Sequence, residues 1–110
     1  MDTRDVTNQQ YSDTLNMLVV AHCLDFFRRR TEIEAGGCAK RTRMEYVYLN
    51  KMITEAAQAI VGEDHEIYIR EIGEGIGYAK SALSDVSEGT YKRRKKEVKI
   101  SIARKLHLLD

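Results

Sequence analysis

The chain has 110 residues, of which 43% are hydrophobic and 32% charged, and its formal net charge at pH 7 is +1. A chain of this length and composition is expected to form one domain with a substantial core, which argues against a long disordered tail. The longest apolar block, residues 17–21, is far shorter than the roughly 20 residues that span a membrane, and residues 1–5 do not resemble a signal peptide, so we expect a cytoplasmic protein without membrane contact.

Long helices are expected because the chain contains no proline, whereas average usage of about 5% would supply roughly five. The two cysteines, Cys23 and Cys38, do not form a Cys-x-x-Cys motif. We therefore interpret them as reduced thiols, although two cysteines are enough for one disulfide.

The first helix is predicted over residues 8–30, or to one turn later just before Gly36, after a frayed segment at residues 1–6. Thr7 and Gln10 have the spacing of a capping box, which marks a helix start. Between Leu15 and Phe27 this helix is apolar over most of its circumference, which is typical of a central helix.

The second helix is predicted over residues 42–61. Gly36 and Gly37 end the first helix at the clearest break in the chain, and Thr42 with Glu45 forms another capping-box pattern. Apolar residues then recur every three or four positions, as one face of a helix requires; they are Tyr46, Leu49, Ile53, Ala56 and Ile60.

The third helix is predicted over residues 64–87, where apolar residues again recur at intervals of three and four. Gly73, Gly77 and Ser81 would form a nearly bare ridge beside this apolar face. Glycine inside a helix costs roughly 0.5–1 kcal/mol relative to alanine, so the ridge indicates that a backbone approaches closely. Two interpretations stay open, namely packing against the first helix and contact with another subunit of a homo-oligomer.

The fourth helix is predicted over residues 90–109, with Thr90 as its cap. Residues 98–102 alternate like a strand, but a single short strand without a partner is a poor competitor to a helix. Four helices with short connections predict one all-α domain over residues 1–110, an antiparallel four-helix bundle with up-down-up-down topology.

Charge is distributed unevenly along the chain. Residues 63–88 contain two basic and seven acidic residues, whereas residues 89–110 contain eight basic and two acidic ones. In an up-down-up-down bundle the first and third connections lie at the same end, so basic segments near both connections would meet there. We call this predicted cluster the basic pole; it comprises Arg28, Arg29, Arg30, Lys40, Arg41, Arg43, Lys92, Arg93, Arg94, Lys95 and Lys96.

The basic pole predicts a small nucleic-acid-binding protein that contacts the backbone of RNA or DNA, or a similar polyanion, with little base specificity. Residues 92–96 are the main contributors, because five consecutive cations in the first turns of a helix oppose its macrodipole. Tyr46 and Tyr91 are interpreted either as core aromatics or as platforms for an unpaired base. A solvated cap without a partner is the alternative interpretation of the pole.

The competing functional hypothesis is a protein-protein adaptor or regulator that acts through helix faces and self-association. We predict no enzymatic activity, no cofactor and no metal site. His22, His65 and His107 lack partners at metal-ligand spacing, and Glu71 and Glu74 are interpreted as exposed acids on a solvated helix face.

Overall fold

The structure is a computed structural model that describes residues 10–109. Within this range the chain is all-helical and contains no strand, as predicted. The described part also has no helix with the length and apolar character needed to cross a bilayer. Its α-helices are α1 (Asp13–Ala35), α2 (Lys40–Val61), α3 (His65–Glu74) and α4 (Glu88–Lys105), with short 3-10 turns at Gly62–Asp64 and Tyr78–Lys80.

Helix α1 begins at Asp13 because Ser12 caps it. The Oγ atom of Ser12 accepts a hydrogen bond from the backbone N–H of Leu15 at 3.2 Å, which satisfies one of the unpaired donors of the first turn. The predicted first helix is wrong at residues 10–12, which precede α1 and are not helical. Its predicted start at residue 8, its cap Thr7 and the frayed segment lie outside the described residues.

Helix α1 ends at Ala35, the later of its two predicted ends. Gly36 then adopts a left-handed conformation with φ of 72°, which stops the helix at the predicted glycine break. Helix α2 agrees with the prediction over residues 42–61 and starts two residues earlier.

Helix α4 is shifted relative to the predicted range of 90–109. Ser87, rather than Thr90, is its cap, since the Oγ atom of Ser87 accepts a hydrogen bond from the Thr90 backbone N–H at 3.3 Å. The helix ends at Lys105. Residues 98–102 alternate like a strand in the sequence, but they lie within α4. Val98, Ile100 and Ile102 are all buried there.

The predicted third helix over residues 64–87 is wrong beyond Glu74. Helix α3 ends there because Gly75 takes a left-handed conformation with φ of 69°. Three glycines within five positions, Gly73, Gly75 and Gly77, remove much of the local helix propensity. The apolar period continues past this point in the sequence, but the helix does not.

Residues 75–87 form instead a connecting loop, which we call the 75–87 loop. It contains the second 3-10 turn. A hydrogen bond within the loop stabilises it, since the Tyr78 hydroxyl donates to the backbone oxygen of Val86 at 2.7 Å. Leu83 anchors the loop in the core.

The predicted up-down-up-down four-helix bundle is not confirmed. Such a bundle would place the first and third helices parallel and on a diagonal, whereas α1 and α3 pack closely and run antiparallel. Glu66 at the start of α3 forms an ion pair with Arg30 late in α1, and Gly73 near the end of α3 lies against Leu24, earlier in α1. The end of α3 therefore lies away from the connection between α1 and α2.

The core draws side chains from all four helices. Two of its largest members, Tyr68 of α3 and Tyr91 of α4, stack with ring centroids 5.7 Å apart, an arrangement that adds to their area burial. Other fully buried side chains are Val19, Cys23, Ile53, Ile69, Ile72, Val98 and Ile102.

Candidate functional site

The structure does not gather the eleven residues of the predicted basic pole at one end. Residues 92–96 begin α4, and the Nζ atom of Lys96 lies 4.5 Å from the ring centroid of Tyr11, just before α1. Arg28 is fifteen residues beyond Asp13, the first residue of α1, which is roughly 22 Å along the helix at 1.5 Å per residue. The predicted basic pole does not form because α3 runs antiparallel to α1. The start of α4 therefore lies near the opposite end of α1 from Arg28.

The arginines of α1 are largely occupied within the chain. Arg28 pairs with Asp25 at 3.4 Å and with Glu32 at 2.9 Å, and its guanidinium lies over the ring of Tyr46. Arg30 pairs with Glu66 at 3.0 Å. These contacts leave less positive charge for a polyanion than the sequence predicts.

Arg29 is only 4% exposed and belongs to a polar cluster between α1 and α2. Its guanidinium donates hydrogen bonds to Nδ1 of His22 at 2.9 Å and to Oδ1 of Asn50 at 3.3 Å, while an oxygen of Asp25 lies 4.0 Å away. Burial, followed by the Arg29 charge, lowers the pKa of His22. The arginine therefore depends on a neutral histidine as its acceptor.

The cations at the start of α4 also have intramolecular contacts. Lys92 pairs with Glu88 at 3.4 Å and Arg93 with Glu97 at 3.7 Å, both on the helix surface. Such exposed pairs contribute little to stability, but they reduce the local positive charge.

Lys95 and Lys96 pack against tyrosines that belong to the core. Lys95 donates a hydrogen bond to the backbone oxygen of Ile76 at 2.6 Å and lies over the ring of Tyr91. The ring of Tyr91 is 1% exposed, so the predicted use of this tyrosine as a base-stacking platform is not available in this conformation.

The start of α2 is the exception among the basic segments. Lys40, Arg41 and Arg43 are exposed, and none of them forms an ion pair with a described residue. The first turn of α2 contains no acidic residue, and its first flanking residue, Ala39, supplies no side-chain cap. Three cations thus lie at the positive end of a helix dipole, and no acidic residue in the described part of the chain pairs with them.

An exposed apolar strip lies on α2, directly after these cations. Met44 is 64% exposed, Val47 47% and Tyr48 52%, and their spacing of three and four places them on one side of the helix. With Lys40 and Arg43 they line a groove of about 450 Å³. We call this surface, made of Lys40, Arg43, Met44, Val47 and Tyr48, the α2 face.

Sequence reasoning missed the α2 face because it followed the stripe that begins at Tyr46 and includes Ile53. That stripe does lead to core residues, since Ile53 is fully buried. The signal available in the sequence was a second apolar set at Met44, Val47 and Tyr48, which one buried stripe does not need.

Glu71 is buried and holds the 75–87 loop in place, contrary to its interpretation as an exposed acid. It is 3% exposed. Its Oε1 accepts hydrogen bonds from the hydroxyls of Ser81 and Tyr91, both at 2.7 Å, and its Oε2 accepts one from the Ala82 backbone N–H at 2.8 Å. Burial opposes ionisation, but these donors together with Lys95 lower the pKa of Glu71 below its ordinary value.

The predicted ridge of Gly73, Gly77 and Ser81 does not exist as one helical surface, because only Gly73 is helical. A Cβ atom on Gly73 would lie 2.7 Å from the backbone nitrogen of Leu24, so α1 and α3 meet there. Gly77 lies in the 75–87 loop with no atom within 4 Å of its would-be Cβ, and Ser81 binds Glu71.

Residues 10–109 contain no group of three histidine, cysteine or carboxylate side chains that could hold a metal ion. Cys23 is a buried free thiol and Cys38 a partly exposed one. Comparison with protein-family models, curated proteins and solved structures finds no significant match to this chain. The α2 face is therefore the candidate site on physical grounds alone.

Proposed function

We propose that this protein is a protein-docking module whose α2 face binds an acidic amphipathic segment of a partner protein. The single observation that carries the proposal is the combination, on one helix, of three large apolar side chains, each about half exposed or more, with cations that form no ion pair with a described residue. Isolated exposed apolar residues are ordinary, whereas a contiguous set beside a groove is typical of an interaction site.

The apolar part of the α2 face supplies the attraction. Full burial of a Met, Val or comparable side chain stabilises by about 1.5–3 kcal/mol, and Met44, Val47 and Tyr48 have about half of that burial still to gain. A helix that inserts its own apolar face into the groove would gain roughly 1 kcal/mol at each of these positions. This supports reversible binding rather than a permanent complex.

The charge of the α2 face favours an acidic partner. Lys40, Arg41 and Arg43 lie where the helix dipole is itself positive, so a carboxylate from a partner would interact with both the cations and the dipole. The same potential would speed association and make it sensitive to salt.

Nucleic-acid binding through a basic pole receives less support from the geometry. Residues 92–96 contact Glu88, Glu97, Ile76 and two tyrosine rings, and lie far along α1 from the arginines at 28–30. Lys40, Arg41 and Arg43 remain for phosphate contacts. Binding of double-stranded or single-stranded nucleic acid and self-association therefore compete with peptide docking as functions of this surface, and the experiment below distinguishes them.

The experiment measures binding of two designed helical peptides by fluorescence anisotropy at low and physiological salt. Both peptides have about 14 residues, roughly 21 Å when helical, and the same apolar face, but one carries glutamates and the other lysines. The acidic peptide is expected to bind more tightly, with an affinity that falls as salt is raised.

Variants of the α2 face test whether the peptide binds at this surface. Met44→Ser combined with Tyr48→Ser is expected to weaken binding by roughly tenfold or more, whereas the matched change of exposed Gln58 and Ala59 to serine has no effect. Arg43→Glu is expected to weaken binding of the acidic peptide, and Lys80→Glu on the exposed part of the 75–87 loop serves as its control.

Three outcomes would overturn the proposal. The first is equal binding of the acidic and basic peptides. The second is tight binding of duplex or single-stranded nucleic acid that the double serine variant leaves unchanged, with no peptide binding. The third is a dimer in light scattering that the double serine variant converts to a monomer, since a second copy would then occupy the α2 face.

A further inference from the structure

A separate concave site lies where α1, α2 and the first turn of α3 meet. Its volume is about 430 Å³, which is within the range of small-molecule sites. Apolar side chains from two helices line it, namely Phe26 and Ile33 of α1 and Val47 of α2. Convergence of three helices on one pocket of this size is a common setting for a ligand.

Two of the four charged side chains that line this pocket, Arg30 and Glu66, neutralise each other. Arg30 and Glu66 form an ion pair across it at 3.0 Å, and the guanidinium of Arg30 also lies 5.6 Å from the ring centroid of Phe26. Lys51 lines the pocket but is exposed, so its flexible side chain can remain in solvent.

Glu55 lines the pocket with a carboxylate oxygen that has no hydrogen-bond partner among the described residues. Its Oε2 atom is shielded from solvent and accepts no hydrogen bond from the described residues. None of the ion pairs formed among residues 10–109 includes Glu55. An unpaired carboxylate oxygen in such a position is unfavourable, and a donor that reached the carboxylate would relieve this.

His65 also lines this pocket. Its Nδ1 lies 3.0 Å from the backbone oxygen of Gly62 and donates to it, because a carbonyl oxygen only accepts. Among the described residues that line the pocket, Glu55 therefore supplies the acceptor for a ligand, beside apolar walls.

We infer that this pocket binds a small molecule with a primary ammonium group on a short apolar stem. The ammonium donates to the Glu55 carboxylate, and the stem packs on Phe26, Ile33 and Val47. This site is distinct from partner docking on the α2 face, although Val47 borders both surfaces. A carboxylate of the same length lacks the donor that Glu55 requires.

The test titrates hexylammonium into the protein and follows backbone amide resonances by NMR. Hexanol and hexanoate are titrated in parallel, since they keep the stem but replace the cationic group. Hexylammonium is expected to bind more tightly than either, with the largest shifts at the amides of Val47, Asn50 and Thr54, which line the pocket on α2.

Substitutions of Glu55 and Lys51 test where the ammonium group binds. Glu55→Gln keeps the shape of the side chain and is expected to weaken hexylammonium by roughly tenfold or more, while Glu45→Gln, an exposed glutamate of the same helix outside the pocket, leaves binding unchanged. Lys51→Gln removes a cation that lines the pocket and forms no ion pair with a described residue, so it is expected to strengthen hexylammonium binding.

The inference is overturned if hexanoate or hexanol binds as tightly as hexylammonium, or if Glu55→Gln and Glu45→Gln have the same effect. It is also overturned if resonance shifts map outside the pocket. The Met44→Ser and Tyr48→Ser double variant separates the two proposals, because it is expected to weaken peptide docking and leave hexylammonium binding unchanged.

Discussion

Substitution of Gly73 by alanine tests the contact between α1 and α3 most directly. An added Cβ would lie 2.7 Å from the backbone nitrogen of Leu24, and 2.9 Å from both the carbonyl carbon of Cys23 and the Cα of Leu24. All three are backbone atoms of α1, so they cannot move aside as a flexible side chain would. The two helices must separate to accept the methyl group.

The expected cost follows from two opposing terms. Insertion of a methyl group into a packed interface costs about 1–3 kcal/mol, whereas the change from glycine to alanine inside a helix returns up to about 1 kcal/mol. We therefore expect Gly73→Ala to lower the free energy of unfolding by about 1–2 kcal/mol. The separation would also loosen Ile69 and Ile72, which α3 buries in the core.

Urea denaturation followed by far-ultraviolet circular dichroism measures this change, and at ordinary m values the midpoint should fall by roughly 0.5–1 M. Gly77→Ala is the matched control, because Gly77 has no atom within 4 Å of its would-be Cβ and a φ of −90° that alanine tolerates. The control should leave stability unchanged or raise it slightly. A Gly73→Ala protein as stable as the control would refute the close approach of α1 and α3.

Two further predictions concern the buried polar groups. Glu71→Gln is expected to cost about 2–3 kcal/mol, because an amide cannot accept from every donor that the carboxylate satisfies; Glu74→Gln at the exposed end of α3 is the control, and equal midpoints in urea would contradict a structural role for Glu71. Stability should also fall as the pH drops below about 6.5, the ordinary value for histidine, because a lowered pKa of His22 means that the unfolded chain takes up a proton before the folded one does. His22→Gln, which keeps an acceptor for Arg29, should remove this part of the pH dependence between about pH 7 and 5, and an unchanged pH profile would show that the cluster tolerates a charged histidine.

The apolar periodicity of the sequence was sufficient to find most of the helical segments. The second predicted helix agrees with α2 to within two residues, and the glycine break at Gly36 ends α1 as expected. These features depend on local preferences, such as a left-handed glycine or a side chain that caps the next turn. The same local signals misplaced the cap of α4 by three residues, because Ser87 and Thr90 are both good caps and only the structure distinguishes them.

The sequence also failed to show which side chains are buried and which lie on the α2 face. Burial of Tyr91 and Arg29 depends on which helices pack together, and this is set by long-range contacts rather than by spacing within one helix. The eleven cations were assigned to one end on the assumption of an up-down-up-down order. Once α3 runs antiparallel to α1, that assignment has no geometric basis.

What the sequence by itself determined is an all-helical chain with its main breaks, because helix period, caps and glycine conformation act over a few residues. What only the tertiary structure decided is the end of α3, the course of the 75–87 loop and the exposure of the α2 face. The physical reason is visible at Glu71, whose carboxylate accepts hydrogen bonds from Ser81, Ala82 and Tyr91, ten to twenty residues away. Those contacts stabilise a loop where the local apolar pattern alone favoured a longer helix.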